Sequence, residues 1–96
     1  MLYNYKYQCE RDNEMILYFV NGSKQKKYLV ESDYAEDIID VIVEFFESHN
    51  RFPHRLELVV ADDEIIVKIA NTTEYFLITE VASEDADLIK EWIDKY

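Results

Sequence analysis

Apolar and polar residues alternate along much of the chain, and the period of that alternation switches from two to about 3.6 in two places. Tyr3, Tyr5, Tyr7 and Cys9 alternate with Leu2, Asn4, Lys6 and Gln8, which predicts a strand. Leu56, Leu58 and Val60 alternate with Arg55, Glu57 and Val59, which predicts another. Met15 to Val20 is the longest unbroken apolar run, six residues, and reads as a strand apolar on both faces whose second face must be covered. Asn21-Gly22 accepts the positive φ angles of a tight hairpin turn, so the strands flanking it pair antiparallel. Tyr34, Ile38, Val41, Ile42 and Phe45 recur at helical spacing and predict a helix over about Asp33 to His49, with that stripe on the sheet. Leu88, Ile89, Trp92, Ile93 and Tyr96 form the inner side of a second helix from about Glu84 to Tyr96. Ser32 or Asp33, and Ser83 or Asp85, are placed to cap the two starts.

The pattern recurs. Glu14-Met15-Ile16-Leu17-Tyr18-Phe19-Val20-Asn21 aligns with Glu64-Ile65-Ile66-Val67-Lys68-Ile69-Ala70-Asn71. Lys27 to Glu31 then aligns with Phe76 to Glu80, and Ser32 to Glu36 with Ser83 to Asp87, with small insertions. A strand precedes each copy, Leu2 to Cys9 or His54 to Val60, closed by an acidic turn at Glu10 to Asn13 or Ala61 to Asp63. The expected fold is α+β with two layers: a six-stranded, mainly antiparallel sheet with both helices on one face, built by tandem duplication of a β-β-β-α unit over residues 1–50 and 51–96. The strand order is 3-2-1-4-5-6 or 1-2-3-6-5-4, and one sheet face is left open. Asn50-Arg51-Phe52-Pro53 is too short a linker to separate the halves, so residues 1–96 form a single domain around one core.

A hydrophobic content of 49% and an aromatic content of 15% exclude a disordered chain. With no apolar run near the length of about 20 residues that spans a membrane, no basic leader with an apolar core, and one cysteine, the expected location is the cytoplasm. Charge changes the picture more. Twenty-one Asp and Glu against 10 Lys and Arg leave a net charge of -11, and the phosphate backbone repels such a surface. Direct nucleic-acid binding is thereby disfavoured.

Many of the acids have ordinary reasons. Carboxylates in a first helical turn complement the helix dipole, and short acidic side chains are common in hairpin turns. Helix one departs from this. Between Ser32 and Asn50 there is no Lys or Arg, and Asp33, Asp37, Asp40, Glu44 and Glu47 recur at spacings of four and three. Like charges at i,i+4 destabilise a helix by about 0.2–0.5 kcal/mol per pair. The stripe carries roughly one charge per 5 Å, against one per 3.4 Å along a DNA strand. Rules broken without local compensation mark candidate binding surfaces.

Other chemistry is weakly represented. Cys9, His49 and His54 lack the paired spacing of a zinc site, and a single glycine cannot build a phosphate-cradling loop. Asp62-Asp63-Glu64 in a tight turn point different ways and do not converge on a magnesium ion. No cofactor, metal site or catalytic set is expected, and no enzyme. Tyr3, Tyr5 and Tyr7 either line the core or cover the open face.

In size and acidity the chain resembles the class of acidic inhibitors that viruses make against CRISPR and restriction enzymes, several of which mimic DNA. The resemblance implies a stoichiometric partner, a basic and nucleic-acid-binding host protein. Asp33, Asp37, Asp40, Glu44 and Glu47 are the candidate contact residues. An immunity or antitoxin-like protein that covers a toxin, or a structural module that dimerises through the open sheet face, are the alternatives.

Overall fold

The computed structural model describes residues 14–96. Its elements are β1 (Met15–Val20), β2 (Lys26–Ser32), α1 (Ala35–Ser48), β3 (Leu56–Ala61), β4 (Glu64–Ile69), β5 (Tyr75–Thr79) and α2 (Ser83–Lys95). The strands form one antiparallel sheet of order β2-β1-β5-β4-β3. A hairpin, β1 with β2, thus lies beside a three-stranded meander, β3-β4-β5, and the seam between them is the β1–β5 pair. The chain passes from one sheet edge to the other through α1, over four strand spacings of about 4.8 Å.

Period-two burial fixes the face on which the helices sit. Met15 and Leu17 of β1, Ile65, Val67 and Ile69 of β4, and Phe76 and Ile78 of β5 are all buried. They pack with Ala35, Ile38, Ile42, Phe45 and Phe46 of α1 and with Ile89 of α2 in one hydrophobic cluster. Phe19, Phe45, Phe46 and Phe76 form its aromatic centre, with ring centroids 4.5 Å apart for Phe19–Phe45 and 5.4 Å for Phe45–Phe76. Offset and edge-to-face pairs of this kind add about 0.5–1.5 kcal/mol each to the area they bury.

The α+β class, the antiparallel pairing and the two helices agree with the sequence pattern, but the six-stranded duplicated sheet does not hold. Five strands are present among the described residues; the strand expected at Leu2 to Cys9, with Tyr3, Tyr5 and Tyr7, lies outside them. Both expected strand orders fail, because β1 has β2 on one side and β5 on the other. The aligned segments β1 and β4 are both strands, yet their following partners differ. β2 lies at an edge and is largely exposed, whereas β5 sits at the centre and is buried at alternate positions. The repeated pattern records two hairpin-then-helix segments of similar polarity and not two equivalent units, since period-two alternation gives a strand's faces but not its neighbours.

Other local differences have physical causes. The turn after β1 spans Asn21 to Gln25, and its left-handed residue is Lys24, at φ 65°, not Gly22. The Asn21 side chain organises it, its Oδ1 accepting from Ser23 N at 2.9 Å and Ser23 Oγ at 2.7 Å. One residue of β2 is extra where Leu17 pairs with Val30 and Tyr18 with Tyr28, a bulge that bends this edge strand. Helix α1 starts at Ala35, after the expected start. Tyr34 occupies the N-cap position, and its side chain is 65% exposed instead of facing the sheet. Neither helix has a side-chain cap. Ser32 instead ties strand to helix, its Oγ accepting from Tyr34 N at 3.1 Å and donating to Asp37 Oδ2 at 2.8 Å. At the C-terminal end of α1, Asn50 takes the left-handed conformation at φ 55°, and Arg51 N donates to Phe46 O, which closes a Schellman-type cap.

The inner side of α2 is also rotated from expectation. Ile89 is fully buried, Trp92 and Ile93 are half-buried, and Leu88 and Tyr96 are 42% and 47% exposed. Because α2 lies over the β3 edge of the sheet, its flank has no strand beneath it. The buried position one turn before Ile89 is Asp85, a carboxylate that hydrophobic periodicity does not count.

Candidate functional site

Antiparallel order sorts the loops into two ends. β1, β4, α1 and α2 all start at one end, where β2, β3 and β5 finish. That end collects Glu14, Glu31, Asp33, Glu36, Asp37, Asp62, Asp63, Glu64, Glu80, Glu84 and Asp85, and among the described residues no Lys or Arg lies there. The crowding has a local signature. The pKa of Glu14 is raised above its ordinary 4.5, chiefly because nearby protein displaces water, and also because Asp33 and Glu31 repel its charge.

The candidate residues of helix one divide in the structure. Asp37, Asp40, Glu44 and Glu47 form an exposed row on the outward face of α1, opposite Ile38, Ile42 and Phe45. Asp37 is engaged by Ser32 Oγ, and none of the four makes an ion pair with a described residue. Asp33 is not in the helix. It lies in the β2–α1 connection, half-buried, with Oδ1 shielded and without a hydrogen-bond partner. The row therefore starts at Asp37, one helical turn later than its spacing predicts, and Asp33 belongs with Glu14 and Glu31 at the acidic end.

Most cations sit at the other end. Lys24, Lys26 and Lys27 leave the β1–β2 turn, and Arg51 and Arg55 flank the α1–β3 connection. Arg51 Nη2 pairs with Glu74 Oε1 at 2.6 Å, and Arg55 Nη2 with Glu57 Oε2 at 2.6 Å. An open cleft of about 740 Å³ lies there between Arg51, His54 and Arg55 on one side and Asn71 and Thr72 on the other. Both arginines are already paired with carboxylates, so the cleft is not an uncompensated anion site. His49 stacks on the Phe45 ring, with centroids 4.3 Å apart, and its Nδ1 lies 2.9 Å from the Phe45 carbonyl oxygen. Among the described residues no group of three or more His, Cys, Asp and Glu is arranged to hold a metal ion.

The sheet face away from the helices carries three transverse rows, which the strand registers define. The middle row is apolar from edge to edge: Tyr28 faces Tyr18, Tyr18 faces Leu77, Leu77 faces Ile66, and Ile66 faces Val59. Tyr28 and Val59 at its two ends are 57% and 46% exposed. Toward the acidic end the next row holds Glu31, Ile16, Thr79, Glu64 and Ala61. Toward the basic end it holds Lys26, Val20, Tyr75, Lys68 and Glu57. The Lys26 ammonium lies 5.3 Å from the Tyr18 ring centroid, which places both on this face. Reading the sequence strand by strand missed these rows, because a row is made by register between segments that lie far apart in the chain, as Tyr18 and Leu77 do.

Comparisons of the chain with protein-family models, with curated proteins and with solved structures find no match. No helix among the described residues is long and apolar enough to cross a membrane. The arrangement offers charged and apolar contact surfaces, and no convergent acid, base and nucleophile stands among the described residues.

Proposed function

We propose that this chain is a stoichiometric binder that covers the basic, nucleic-acid-contacting surface of another protein. The observation that carries the reading is the segregation of charge. The exposed row Asp37, Asp40, Glu44 and Glu47 runs into an end where the described residues include no Lys or Arg, while most of the described cations sit at the opposite end. A negative surface without interleaved cations keeps its field in solution and steers it toward a basic groove. A host defence protein that grips DNA or RNA presents such a groove, and a chain encoded by a virus or mobile element is the fitting source of the inhibitor.

The test is capture from host lysate with the wild-type chain and with the quadruple variant D37N/D40N/E44Q/E47Q, followed by elution with duplex DNA. A captured protein that duplex DNA displaces and the variant fails to retain supports the reading. A partner that DNA does not displace and the variant still holds overturns it.

A further inference from the structure

As the described residues form it, the sheet face away from the helices is self-complementary about one axis, and we infer that it seats a second copy of the chain. Two sheets meet face to face in a closed dimer only if the twofold axis lies in the plane between them. Two directions are available. An axis along the strands superposes the two acidic ends and stacks like charge on like. An axis along the transverse apolar row turns one copy end for end, so that the acidic end of each lies over the basic end of the other.

The second axis also matches residues strand by strand. On β2, Glu31 of one copy comes over Lys26 of the other; on β4, Glu64 comes over Lys68. On β5, Thr79 comes over Tyr75, whereas Val20, the β1 position opposite Ile16, is already buried within its own chain and adds no contact. Tyr28, Tyr18, Leu77, Ile66 and Val59 lie on the axis and meet their own counterparts. The result is an apolar centre with charged pairs on both flanks, which is the usual anatomy of a protein interface. Packed sheets cross at about 30°, and the flexible Lys side chains reach across the offset this introduces. The helix layer is on the other side of each sheet, so both acidic rows on α1 stay in solution. This inference therefore stands or falls independently of the proposed function.

The experiment is sedimentation equilibrium of the full chain from micromolar to submillimolar concentration, with far-UV circular dichroism to confirm folding. The wild type is expected to reach twice its 11.5 kDa mass. Lys68→Glu alone and Glu64→Lys alone should each weaken the dimer by about tenfold, and the two together should restore it to within about threefold. The two residues are four apart on one strand, about 13 Å, so the rescue must act between copies. Leu77→Asp, on the axis, should leave a folded monomer. A wild type that stays monomeric throughout the range, or a dimer that neither single exchange weakens, overturns the inference.

Discussion

Thr73 occupies the space that a side chain on Gly22 would need: a Cβ built on Gly22 overlaps Thr73 Oγ1. The contact joins the β1–β2 turn to the β4–β5 turn across the basic end. Gly22 has no positive φ, so space and not backbone conformation demands glycine here. Gly22→Ala should cost about 1–3 kcal/mol in urea unfolding, the usual range for overpacking. Thr73→Ala in the same chain should recover most of that loss, because it removes the overlapping oxygen. An unchanged midpoint for Gly22→Ala would mean that the two turns are not in contact.

The raised pKa of Glu14 makes its charge unfavourable in the folded state. With a folded pKa above the ordinary 4.5, the folded chain holds this proton more firmly than the unfolded one. Its contribution is fully present below the unfolded pKa and is lost as pH rises through the folded value. Glu14→Gln should therefore raise the melting temperature at pH 7, and the advantage should vanish below about pH 4. Melting curves of both proteins across that range test this. An advantage that persists undiminished at the acid end would assign it to something other than ionisation.

The acidic row on α1 should cost stability rather than supply it. Neutralising Asp37, Asp40, Glu44 and Glu47 together removes the Asp40–Glu44 repulsion and that of Glu36 with Asp40, at about 0.2–0.5 kcal/mol per pair. Asp37 also accepts from Ser32 Oγ, a bond that Asn retains through its own oxygen. Thermal unfolding should show a melting temperature equal to or above the parent's. A fall of several degrees would show the row to be structural.

Core positions should rank by burial. Phe76 is fully buried at the meeting of four phenylalanines, so Phe76→Ala should cost about 3–5 kcal/mol. Trp92 is only half-buried, with its ring edge-on to Tyr96 at 5.9 Å, and Trp92→Ala should cost clearly less. Chemical denaturation of the two variants decides the order. The reverse ranking would place α2 deeper over the sheet than described.

Local pattern by itself determined the strands at Met15–Val20 and Leu56–Ala61, the antiparallel hairpin at Asn21-Gly22 and the buried stripe of α1, since side-chain period is a property of each segment alone. It also determined the exposed acidic row, because Asp37, Asp40, Glu44 and Glu47 sit opposite Ile38, Ile42 and Phe45 on any helix. What it could not determine was which strands become neighbours. β1 and β4 read alike, yet β2 lies at an edge and β5 at the centre, a choice made by how the hairpin and the meander share one helix-covered face. The same docking placed α2 over the β3 edge, leaving Leu88 exposed and Asp85 buried. Tertiary structure alone likewise gathered acids from three connections and the start of β1 at one end and aligned Tyr28, Tyr18, Leu77, Ile66 and Val59 in a single row, because register couples segments that the chain itself keeps far apart.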